Sequence, residues 1–183
     1  MRKLPVPMPP PAEMLHRRQG EIRRHRKRMK LFRCLCLTAV VTMIVFSQFL
    51  LVQRNEGLGM LPTVKNGDLA LAWRMTGEWS KEDLVVFCLE GKLQLGRIAA
   101  VARDEVMMDD SGSLLVNGSV CDGQTLYPTY ARQNGEFPLL VPEGTVYILG
   151  DHRTQSRDSR DFGCVPLENL MGKVIAVVRI GGV

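Results

Sequence analysis

The run Cys34–Val52, CLCLTAVVTMIVFSQFLLV, carries no charge in nineteen positions, and only Thr38, Thr42, Ser47 and Gln48 are polar. A helix of that length rises about 28 Å at roughly 1.5 Å per residue, close to the hydrocarbon thickness of a bilayer. Hydroxyls in such a helix can bond back to its own carbonyls. The run also divides the charge. Residues 1–33 hold eleven Lys/Arg against Glu13 and Glu21, a net of +9, whereas the remainder holds thirteen against seventeen Asp/Glu, a net of −4. The overall +5 therefore belongs to the N-terminal arm alone. A length of 183 residues leaves room for one span and one modest soluble domain.

Three readings compete for residues 1–52. A cleaved signal peptide would need a small-x-small site, but the run ends FLLVQRNEG. A nucleic-acid-binding arm would fit RRQGEIRRHRKRMK, but no aromatic residue is interleaved with it. An uncleaved signal anchor fits both the run and the basic block, which orients the N-terminus to the cytoplasm and meets anionic lipid. The expectation is a single-pass protein of the cell membrane, with the lipid bilayer as a partner. Residues 1–33 form a basic cytoplasmic arm, 34–52 the transmembrane anchor and 53–183 an extracytoplasmic domain. The start PVPMPPPAEM reads as an extended, disordered tail. Cys88, Cys121 and Cys164 lie beyond the anchor and permit at most one internal disulfide. No Cys/His spacing suggests a metal, and neither cofactor nor nucleic acid is expected.

From Gln53 onward short β-segments alternate with turn signals. The spacing predicts strands at Leu69–Trp73, Leu84–Leu89, Leu93–Ala102, Glu105–Met108, Leu114–Val116, Thr145–Leu149 and Lys173–Arg179. Asn66-Gly67-Asp68, Glu90-Gly91, Asn117-Gly118 and Pro142-Glu143-Gly144 supply turns, and the sequence from Asp109 to Ser113 marks a hairpin. LVVFCL and KVIAVVRI are apolar without alternation, which fits strands covered on both faces or a face resting on lipid. The fold class is mainly β and antiparallel.

Gly150–Gly163 reads GDHRTQSRDSRDFG, a pattern GD-x-R-x-x-S-x-DSR-x-x-G followed by Val165-Pro166. This closely resembles the signature of type I (bacterial) signal peptidases. The likeness continues in order through Glu56–Thr63, Asn66–Asp68, Lys81–Phe87, Leu95–Ile98 and the stretch from Asp104 to Gly118. It covers roughly residues 34–180. It implies a domain of two antiparallel β-sheets with a small β insertion, lying against the outer membrane face behind one transmembrane helix.

The same alignment exposes two departures. The family's first box reads G-x-S-M-x-P-T, with serine as nucleophile; here the residues are Gly57-Leu58-Gly59-Met60-Leu61-Pro62-Thr63. The second box reads K-R, with a neutral lysine as base; here it is Gly96-Arg97. The resemblance is nearest to signal-peptidase-like proteins of Gram-positive pilus loci, which lack this dyad. Ser156 matches a serine that orients the lysine, and Asp158 with Arg160 matches the charge pair behind it. Lys92 stands about 13 Å from Gly96 at roughly 3.3 Å per residue, and Lys65 falls in a turn.

In the family a substrate lies extended between the two boxes, and strand addition depends on main-chain bonds. The groove candidates are Gly57, Gly59, Met60, Leu61, Gln94, Leu95 and Gly96, with both glycines expected to widen it. The expected function is a non-proteolytic, membrane-anchored peptide- or protein-binding chaperone for secreted or pilin-like clients. The alternatives are an active type I signal peptidase, with Ser156 recruited or a partner subunit assisting, and a membrane protein that binds nothing.

Overall fold

A computed structural model describes residues 11–121, 127–132 and 137–180, and the chain divides between Phe46 and Ser47 into two compact units. The first is dominated by helix α1, Pro11–Phe49. Proline is well suited to a first helical position, where its missing N–H costs nothing. The expected extended tail is thus helical at Pro11–Met14, and its earlier part lies outside the described residues. Within α1, His25–Phe49 is long and apolar enough to cross a membrane, and no part of it is buried within the chain. Leu35, Leu37, Val40 and Met43 are exposed around the helix. Apolar groups on all sides suit a helix with lipid neighbours. Thr38 Oγ1 donates to the carbonyls of Leu35 (2.9 Å) and Cys34 (3.1 Å), so its hydroxyl needs no outside partner.

The expected anchor ran three residues too far. Leu50–Val52 belong to strand β1, Leu50–Arg54, which pairs antiparallel with β2, Leu69–Trp73, from Leu50↔Trp73 to Arg54↔Leu69. Apolarity alone cannot separate the end of a helix from the start of a half-buried strand.

The larger sheet continues with β3 (Leu84–Leu89), β4 (Lys92–Val101), β9 (Thr145–Leu149), β10 (Val165–Pro166) and β11 (Leu170–Val178), in the order β1-β2-β11-β3-β4-β9-β10. A second sheet holds β5 (Glu105–Met108), β6 (Leu114–Val116), β7 (Ser119–Val120) and β8 (Leu139–Leu140), in the order β7-β6-β5-β8. All pairings are antiparallel. The predicted strands recur, with β4 and β11 each beginning earlier than expected. The two-residue strands and the single-turn helix α2, Ser159–Phe162, carry no periodicity and were not foreseen. At the predicted hairpin, Asp109 Oδ1 accepts from Ser111 Oγ and from the Ser113 N–H, both at 2.7 Å.

Strand β9 is covered on both faces. Val146 and Ile148 enter one buried cluster with Val85, Phe87, Ile98 and Val165. Tyr147 and Leu149 enter another with Ala99, Ala100, Val106, Leu114, Val116 and Val141, where the small sheet covers them. Both faces of β9 are thus inside, while Ile175 and Val178 of β11 remain exposed.

The Tyr147 hydroxyl is buried and finds no hydrogen-bond partner among the described residues. Burial pushes its pKa up, so it stays neutral. Because an unsatisfied buried hydroxyl costs about 1–3 kcal/mol, Tyr147→Phe should leave thermal stability unchanged or raise it. A clear drop in the thermal midpoint would reveal a partner for the hydroxyl.

Candidate functional site

Strand β9 delivers the chain to Gly150, where three segments converge too closely for a side chain. A β-carbon at Gly150 would fall onto Ser156 and within 2.7 Å of the Gly59 carbonyl. The Gly59 carbonyl accepts the His152 N–H at 2.9 Å, joining the first box to the polar loop. A β-carbon on Gly59 itself would lie 3.3 Å from Ser156 Cα and 3.4 Å from its Cβ.

Behind this junction lies a buried charge network. Asp158 and Arg160 form an ion pair at 2.8 Å, each side chain 3% exposed. Asp158 Oδ1 accepts from Arg160 Nε (2.8 Å), and Oδ2 accepts from Arg160 Nη2 (2.8 Å), Ser156 Oγ (2.5 Å) and the Gly150 N–H (3.2 Å). Asp158 also caps α2 in a reciprocal capping box with Asp161. Arg160 Nη2 donates to Ser156 Oγ at 3.2 Å and to the Arg153 carbonyl at 2.5 Å. The Ser156 hydroxyl is therefore held by a carboxylate and a guanidinium.

A second buried arginine, Arg153, donates to the Gly150 carbonyl (2.9 Å) and Thr129 Oγ1 (2.6 Å). Burial pushes its guanidinium below the usual arginine value, and the Arg160 charge adds to this. From the segment between β7 and β8 of the small sheet, Arg132 pairs with Asp161 and donates to the Ser156 carbonyl at 2.8 Å. Arg97, next to Gly96, grips Asp151 at 2.8 Å through both Nε and Nη2, and Thr63 Oγ1 donates to the same carboxylate at 2.5 Å. The bond to Asp151 raises the Arg97 pKa against the effect of burial.

These elements surround a cleft of about 690 Å³, lined by residues 53–60, 92–96, 148–150 and 155–158 and by Phe87. Gly57, Gly59, Met60, Gln94, Leu95, Gly96, Ser156 and Asp158 all line it. Leu61 does not, and Arg160 stands behind the wall. Strand β4 pairs with β3 from Lys92 to Arg97, but its pairing with β9 starts only at Arg97. Among the described residues, 92–96 therefore leave one strand edge without a sheet partner, beside the cleft.

The glycines do not widen this groove as expected. A β-carbon at Gly96 would sit inside the van der Waals surface of Ile148 Cγ2 and 3.1 Å from Phe87 Cε1. Ile148 and Phe87 crowd position 96, and Gly59 lies against Ser156. Phe87, Ile148 and Leu149 of the floor were not singled out from the sequence, because apolar strand residues look alike whether they line a core or a cleft. Arg132 carried no sequence signal either. Among the described residues no cluster suits a metal ion, and all five cysteines are free thiols.

The family model described as signal peptidase, peptidase S26, matches residues 27–179. The chain is similar to a signal peptidase I of Bacillus caldolyticus, 30% identical over 164 residues, covering 81% of this chain and 87% of the relative. It is also similar to a probable thylakoidal processing peptidase 2 of Arabidopsis thaliana, 31% identical over 155 residues. That match covers 75% of this chain but only 41% of the Arabidopsis protein. A crystal structure of a signal peptidase I from Enterococcus faecalis aligns over 53% of this chain and 97% of its own, with a TM-score of 0.44 and 24% identity.

Removing Arg160 would leave the Asp158 carboxylate buried and unpaired. Arg160→Ala should cost about 3–5 kcal/mol in denaturant unfolding, and Arg160→Lys should recover only part of it, since an ammonium cannot reproduce the fork. The Asp161 carboxyl, held low chiefly by Arg132, adds a pH dependence. Its contribution is fully present above the unfolded carboxylate value of 3.8 and is lost as pH falls through the lower folded value. Arg132→Met should flatten that acid limb of the stability profile.

Proposed function

The chain belongs to the signal peptidase family, peptidase S26, and on that premise we propose that it binds extended peptide segments without cleaving them. The observation that carries this reading is the pair of glycines lining the cleft. Gly59 and Gly96 stand where the family's boxes carry serine and lysine, so neither the nucleophile nor its base is supplied. The remaining hydroxyl, Ser156, donates to Asp158 and accepts from Arg160. Among the described residues no hydrogen bond joins it to a lysine amine, and Lys92 and Lys65 are both exposed.

Peptide binding is supported by the unpartnered edge of residues 92–96 along the cleft, since strand addition draws on main-chain groups. Gly57, Gly59, Met60, Gln94 and Leu95 would form the walls and Ser156, Asp158 and Arg160 the frame behind them. The clients are secreted proteins or peptides, with pilin-like subunits the class suggested by the resemblance to signal-peptidase-like proteins of Gram-positive pilus loci. The protein is anchored in the membrane by α1, with the basic arm on the cytoplasmic side and the domain that starts with β1 at Leu50 outside. The dense Lys/Arg block before an all-apolar helix supports that orientation.

The test is cleavage of a preprotein with a small-x-small site by the purified full-length chain in detergent, beside an active family member. The expected rate is lower by about 10⁶-fold, the loss seen when a nucleophile–base unit is removed. Crosslinking of an uncleaved extended peptide to residues 92–96 should accompany it. Site-specific cleavage would instead favour an active signal peptidase, with Ser156 the first candidate for its nucleophile.

A further inference from the structure

In strand β4 the residues at 94, 96 and 98 share one face by the two-residue period of a strand. Phe87 stands opposite Gln94 on β3, and Ile148 stands opposite Ile98 on β9. Position 96 is thus flanked on its own face by two large side chains, each only 1% exposed. Ile148 Cγ2 lies 2.3 Å from the point a β-carbon of residue 96 would occupy, too close for two carbons, and Phe87 Cε1 approaches the same point at 3.1 Å. Phe87 is a ring whose movement would disturb the cluster it shares with Ile98 and Ile148.

We infer that Ile148, backed by Phe87, has taken the space of the side chain that position 96 lacks, and that the two positions exclude one another. Where the cleft would carry a base, it carries an apolar plug. A peptide laid along residues 92–96 meets the methyl groups of Ile148 at that level instead of an amine. The consequence for chemistry rests on the proposed reading of Gly96 as the lysine position; the steric exclusion does not. Chemistry is barred twice, by the missing amine and by the residue filling its place. Restoring the amine alone would leave the second bar standing.

A double-mutant cycle on the full-length protein in detergent tests this. Gly96→Ala should lower the thermal midpoint by about 2–8 °C, the shift expected of a loss on the order of 1–2 kcal/mol. In the Ile148→Ala background the same change should cost less than half as much, because interacting sites are non-additive. Ile148→Leu deletes the branch methyl at nearly constant volume, and it replaces Ile148→Ala if that variant fails to fold. Equal losses in both backgrounds would overturn the inference. So would cleavage of a small-x-small preprotein by Gly59→Ser with Gly96→Lys while Ile148 is intact; no cleavage is expected. Cleavage by the unmodified chain is a different outcome: it removes the proposed function and leaves the coupling between 96 and 148 to be read from the midpoints.

Discussion

The buried ion pair of Asp158 and Arg160 is the constraint on which the rest of the cleft depends. A carboxylate and a guanidinium taken out of water are tolerated only when their remaining acceptor and donor sites are also filled. Here the fillers are Ser156, the Gly150 N–H, the Arg153 carbonyl and the start of α2. Each is a residue of the Gly150–Gly163 signature. The loop therefore needs these residues in order to fold, whether or not a reaction takes place in front of it. This separates two meanings of a matching signature. Residues that organise the loop can stay while residues that perform chemistry are replaced.

The glycines follow from the same crowding. At Gly150 a side chain would collide with Ser156, and at Gly59 it would press on the same residue. Gly96 differs, because its neighbours are an aliphatic and an aromatic side chain rather than backbone. Interiors are packed closely enough that Ile148 Cγ2 and Phe87 Cε1 both crowd the point a β-carbon at Gly96 would occupy.

Much of the architecture was legible in the sequence, because strands such as Leu69–Trp73 and Leu84–Leu89 are bounded by turn residues and the signature loop fixes many positions. The positions of Gly59, Gly96 and Ser156 around a single cleft could be anticipated from their place in the boxes. The end of α1 could not, since Leu50–Val52 satisfy a helix in lipid and a strand in a sheet equally well. Nor could the roles of Thr129 and Arg132, which act on the Gly150–Gly163 loop across more than twenty residues of chain. The crowding around Gly96 was not legible for a related reason: a sequence names the glycine but not the side chains that pack against it.

The junction at Phe49–Leu50 has a practical consequence. Strand β1 is the edge of the larger sheet and begins with no linker after the helix. Trimming the protein at the end of its apolar run, after Val52, would delete three of the five residues of β1 and uncover the backbone of β2 at Leu71, Ala72 and Trp73. An exposed apolar strand edge invites pairing with other chains. A water-soluble fragment of this protein would have to begin upstream of Leu50, keeping the last turn of the helix, or it would trade its anchor for a sticky seam.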